Sequence, residues 1–249
     1  MEILKKILCL SLLFVLASCS LFKPAPLPDT SFLMFNGKLE PKPERIDFQG
    51  IYLPDQERYH QLTKVNNKIY VARIEDDDIE DQYLAEELSH KNFVEKEQEL
   101  REISEYFRER LRLAFQEYPD RKINYAEKAV EKTFILKVAV VELKPTNRVI
   151  NFLGTVAGFF VPGGGTFRFF ASGSVAIEGK IVDAESGDVL MEFKDRKKDK
   201  NSPFTIRDYQ SYAHARASID DWADELAELI NTDCDHKVEQ GLPITLSPI

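Results

Sequence analysis

Two spacings of apolar residues alternate along this chain. Leu100, Ile103, Phe107, Leu111 and Ala114 recur at steps of three and four with Glu and Arg between them, which predicts an amphipathic helix from about Lys96 to Tyr118, ended by Pro119 and Asp120. The same period places Ile219, Trp222, Ala223, Leu226 and Ile230 on one face of a second helix, within Ile206 to Ile230, and Asp220, Asp221, Asp224, Glu225 and Glu228 on the other. Trp222, the only tryptophan, lies on the apolar stripe and reads as a core anchor. Strand signals stand before and between these helices. Lys68 to Ile74 is β-branched and aromatic; Thr133 to Leu143 is so continuously apolar that it predicts a central strand covered on both sides; Ser174 to Val182 and Val189 to Phe193 flank the Gly-containing turn Asp183 to Asp188 as a hairpin. The expected architecture is α/β (α+β): an antiparallel-rich sheet of about four strands with two long helices on one face.

One stretch fits neither period. Val149 to Ser174 is strongly apolar, rich in Phe and Gly, and inserted between two strands, longer than an incidental connection. It reads either as a flap packed over the domain's own sheet or as an exposed patch for a partner or the membrane interface. Exposure of Phe152, Phe159, Phe160, Phe167, Phe169 and Phe170, the candidate contact surface, decides between them. Its apolar half, Val149 to Val161, would reach only about 20 Å as a helix, short of a bilayer span.

The first residues read as an address. Lys5 and Lys6 precede the apolar run Ile7 to Leu16 and small residues before Cys19, the layout of a secretory signal peptide covering 1–18. Leu16, Ala17, Ser18 and Cys19 resemble the bacterial lipobox, which implies cleavage before Cys19, a diacylglycerol on its sulfur and a palmitate-type acyl chain on the new amino terminus. Several acyl chains anchor a protein stably. Ser20 occupies the place where Asp would signal inner-membrane retention, so the resemblance implies the periplasmic face of the outer membrane, with the inner membrane as the alternative. Residues 19–45, with Pro24, Pro26, Pro28, Pro41 and Pro43, read as an extended tether reaching up to roughly 60 Å, although the apolar island Ser31 to Phe35 has the option of docking on the domain. A single globular domain then covers 46–232 and a tail 233–249.

Composition adds exclusions. The chain is 43% hydrophobic and 30% charged, as a folded domain is, and its net charge of -9 argues against nucleic acid as a partner. With Cys9 in the leader and Cys19 lipidated, Cys234 is left as a lone thiol without an intrachain partner. His60, His90, His214 and His236 are scattered singly, and neither an HExxH nor a GxSxG pattern occurs. Gly163, Gly164 and Gly165 lack the Lys-Ser/Thr of a phosphate loop. Asp76, Asp78, Glu80 and Glu87 echo calcium-loop spacing, but Asp81 stands where that loop needs Gly, so the segment reads as an acidic turn. Lys194 to Lys200 reads as a solvated basic loop. No metal, cofactor or catalytic residue is therefore expected.

From Val140 to Leu229 the chain resembles a family of bacterial lipoproteins known as domain of unknown function 3313. The resemblance is carried by Val141 to Asn147, Asn151, the run Gly173 to Asp183, Ser186-Gly187, Asp195-Arg196 and Trp222-Ala223. It implies membrane attachment and no established catalytic activity. More distantly, the order of elements is similar to periplasmic lipoprotein domains of the curli-channel and penicillin-binding-protein-activator kind, which assemble with partners. The expected role is a non-catalytic envelope lipoprotein acting through an unidentified envelope protein or self-association. A periplasmic binding module for an apolar ligand and an envelope hydrolase are the alternatives.

Overall fold

In the computed structural model, residues 26–27, 30–75, 90–119, 121–144, 173–198, 213–233 and 235–240 are described. Their elements, after a 3-10 turn at Asn36–Lys38, are β1 (Glu40–Lys42), β2 (Ile46–Tyr52), α1 (Gln56–Val65), β3 (Lys68–Val71), α2 (His90–Glu117), β4 (Asn124–Tyr125), β5 (Thr133–Lys144), β6 (Ser174–Asp183), β7 (Val189–Lys198) and α3 (Ala213–Asn231). The strands form one mixed sheet in the order β1-β2-β7-β6-β5-β3-β4, antiparallel from β1 to β5 and parallel from β5 through β3 to β4.

The α/β class stands, but the sheet is larger than expected: seven strands and three α-helices among the described residues instead of about four and two. The additions share a physical cause. β1 and β4 have three and two residues, too few to show a period. α1 buries only Tyr59, so no apolar stripe advertises it; its signal is the cap, with the Asp55 carboxylate accepting from the Arg58 amide at 2.8 Å. Residues 40–45, assigned to the tether from their prolines, form β1 and the turn into β2.

The hairpin is as expected. Asp183 accepts from the Ser186 amide at 3.0 Å and from its hydroxyl at 2.8 Å, and Gly187 supplies the positive φ of 77° that closes the turn. Along β5, β6 and β7 the side chains alternate between two faces. The front face carries Phe134, Leu136, Val138, Val140, Val175, Ile177, Ile181, Met191 and Phe193, and against it pack Ile103, Phe107, Leu111 and Phe115 of α2 and Ile219, Trp222 and Leu226 of α3 in one core. Gly179 lies opposite Phe193, and a Cβ there would collide with the Phe193 ring, so the missing side chain makes room for the aromatic. Trp222 is fully buried and stacks on Phe107 with ring centroids 6.2 Å apart, as its place on the stripe predicted.

Candidate functional site: the strap-covered back face

The back face is built from charge. The turn fixes the β6/β7 register so that Ala176 faces Arg196, Glu178 faces Lys194 and Lys180 faces Glu192, a ladder of opposite charges. On β5 the register shifts between Val140 and Glu142, so Val141 joins the back-face apolar cluster while Glu142 stands across from Ala176. Glu178 and Glu192 are fully buried, although a carboxylate in the interior is costly unless it is paired or hydrogen-bonded.

What buries them is the segment that precedes β1, here termed the strap. Leu27, Phe32 and Leu33 pack on Ala139, Val141 and Ala176, the docked option for the island Ser31 to Phe35. Beneath them the strap bonds the charges in turn. Glu192 accepts from two successive strap amides, Met34 and Phe35, both at 2.8 Å. The Thr30 hydroxyl donates to Glu178. The Lys180 ammonium donates to the Phe32 carbonyl at 2.7 Å and lies 4.2 Å from the centre of its ring. At the strand end, Arg196 donates to Glu142 at 2.6 Å and to the Pro26 carbonyl at 3.3 Å, while Ser174 donates to the other Glu142 oxygen at 2.6 Å. Gln49 accepts from the Leu27 amide at 3.1 Å. Bonds to charged groups are the stronger kind, roughly 1.5–3 kcal/mol each.

A second polar cluster lies on the front face near the same strand end. Asp195 accepts from the Trp222 indole at 2.8 Å and from the Gln49 amide at 3.3 Å, and burial pushes its carboxyl up. Lys197 donates to both oxygens of Glu225, at 2.7 and 2.8 Å, and lies 5.4 Å from the Trp222 ring. Burial pushes Glu225 up to about 7, against the pull of Lys197. That carboxyl exchanges a proton near neutrality, but it is 3% exposed and both its oxygens are held by Lys197 of β7, so the cluster ties α3 to β7 instead of opening onto a cleft. An open cleft of about 540 Å³ lies elsewhere, between the ends of α2 and α3, lined by Tyr118, Lys122, Asn231, Asp233, Asp235 and His236. Among the described residues, no three His, Cys, Asp or Glu side chains are placed to hold a metal ion.

A family model described as "Protein of unknown function (DUF3313)" matches residues 83–226, more than half of the chain. The chain belongs to the DUF3313 family. Two solved structures similar to this DUF3313 chain are PelC dodecamers from Paraburkholderia phytofirmans, one of them of a point variant. The variant is 7% identical over 67% of this chain and 90% of that one, with a TM-score of 0.37. The other is 10% identical over 64% and 87%, with a TM-score of 0.34. No curated protein matches.

Of the residues singled out from the DUF3313 sequence, Cys19, Phe152, Phe159, Phe160, Phe167, Phe169, Phe170 and Cys234 lie outside the described residues, as do the acidic positions after Glu75. No helix among the described residues is long and apolar enough to cross a membrane. Lys194 to Lys198, read as a solvated loop, are the end of β7, with Asp195, Arg196 and Lys197 paired on alternate faces. The back-face ladder was missed by sequence reasoning, yet its signal is there: Glu178-x-Lys180 and Glu192-x-Lys194-x-Arg196 sit on the same face of two strands joined by a turn that fixes their register.

Proposed function

We propose that this DUF3313 protein is a non-catalytic lipoprotein of the cell envelope, held by lipid on Cys19 at the periplasmic face of the outer membrane and acting through contacts with another envelope protein or a second copy of itself. The observation that carries this reading is the docked strap. Pro26, seven residues after the lipobox-like cysteine, is already bonded to the folded body through Arg196, so the segment after the leader is used as a mount. The ionisable groups of the sheet support the non-catalytic side: Glu178, Glu192, Lys180 and Arg196 bond the strap, Glu142 pairs with Arg196, and Lys197 and Glu225 tie α3 to β7. Lys144 pairs with Ser174, so the described strand ends on either side of residues 145–172 lie next to each other. The stretch and its six phenylalanines are assigned the contact role.

Fractionation of cells expressing the full chain and its Cys19→Ala variant tests the anchor. The wild type should sediment with outer membranes and resist high salt, and the variant should be released. Salt-resistant membrane binding by the variant contradicts the lipid anchor. In-cell crosslinking with the 149–174 stretch deleted tests the contact role: adducts should vanish while the domain stays folded, whereas unfolding on deletion would make the stretch core.

A further inference from the structure

The strap has a direction. Pro26 bonds to Arg196, Thr30 to Glu178, Phe32 to Lys180, and Met34 and Phe35 to Glu192. Along β7 this runs from the strand end toward the hairpin, so Pro26 lies at the rim where β5 ends, β6 begins and β7 ends. From Cys19 to Pro26, polyproline-like chain reaches about 22 Å. The hairpin turn lies farther from that rim, roughly 30 Å along β7 at strand rise. A domain mounted this way cannot stand inverted, with the rim roughly 30 Å above the surface that anchors Cys19 and the hairpin against it. Were the strap free, the chain from Cys19 to β1 would reach about 65 Å and the restriction would vanish.

Charge is divided along the same axis. The rim carries Arg196 and Lys197, both paired, and the exposed Lys198; the far turn carries the exposed Glu185, Asp188 paired with Arg58, and the buried Asp183. An anionic lipid surface attracts the first end and repels the second.

We propose that the strap orients the domain, setting the rim of Glu142, Ser174, Arg196 and Lys198 against the anionic lipid surface that carries the Cys19 anchor, with the Asp183 to Asp188 hairpin pointing away. The proposal rests on the lipidation of Cys19.

The test uses the lipidated full mature chain in phosphatidylethanolamine/phosphatidylglycerol vesicles with a nitroxide on part of the headgroups. A Cys234→Ser background carries, at either Lys198→Cys or Glu185→Cys, both exposed positions, a fluorophore of the same charge as the side chain it replaces. Quenching at Lys198 should exceed quenching at Glu185 by about threefold. Equal quenching, or more at Glu185, overturns the orientation while the anchor stands. Failure of the chain to float with the vesicles overturns the lipid anchor itself. Phe32→Ala/Leu33→Ala, which removes strap residues without touching the strands, should keep vesicle binding and bring the two labels to equal quenching. An unchanged contrast in that variant would mean that the strap does not set the orientation.

Discussion

The two faces of the sheet solve burial in opposite ways. The front is covered by α2 and α3 through Phe107, Phe115, Ile219, Trp222 and Leu226, and its cohesion comes from area removed from water. The back is covered by a strap whose described residues before Asn36–Lys38 form no helix or strand, over carboxylates and cations that must each find a partner. An apolar face tolerates small shifts of its cover, whereas a polar one holds only in register, because each misplaced bond leaves a buried charge unsatisfied. The front is thus the global core, and the back is a specific clasp expected to open before it.

That contrast predicts how each face fails. Trp222→Ala removes the largest front anchor, its stacking on Phe107 and the donor to Asp195, and should destabilise the whole domain by about 4 kcal/mol in denaturant unfolding. The front cluster should also give a pH dependence. Glu225 is raised from its ordinary value to about 7, so the folded state holds its proton more tightly than the unfolded chain does. Its contribution is fully present below the unfolded value and is lost as pH rises through about 7, about 3 kcal/mol in all. Glu225→Gln should flatten the decline of stability between pH 4.5 and 7 relative to wild type; parallel curves would remove Glu225 as its source. On the back, Glu192→Gln keeps one acceptor and loses the charge, which should raise hydrogen exchange at the Met34 and Phe35 amides by roughly tenfold, about 1–2 kcal/mol, with little change in the global midpoint. The smallest effect is reserved for a pair on neither face. Arg58 and Asp188 meet at 2.5 Å but are about half exposed, and Arg58→Ala should cost under about 0.5 kcal/mol.

The difference between the faces also explains what the sequence made legible. Trp222 and the helix stripes were readable because front burial writes a 3.6-residue period, and β5 because it is apolar on both faces. The back face writes charges at alternate positions, which by themselves are indistinguishable from a solvated strand; only pairing Glu178 with Lys194 and Lys180 with Glu192 across the turn marks them as a buried ladder. The strap was half legible. Phe32 and Leu33 marked an island able to dock, but the bonds that fix it use the Met34 and Phe35 amides and the Phe32 carbonyl, groups every residue has. Tertiary register, not local preference, placed them over Glu192 and Lys180.

The claim that a charged sheet face clasps the strap is tested most directly by native-state hydrogen exchange of the mature chain, read at Met34 and Phe35. Bonded to the fully buried Glu192, these amides should exchange at least about a hundredfold more slowly than in a free peptide of residues 26–39, and the protection should fall selectively in Glu192→Gln. Exchange at the free-peptide rate, with β5, β6 and β7 still protected, would contradict the clasp.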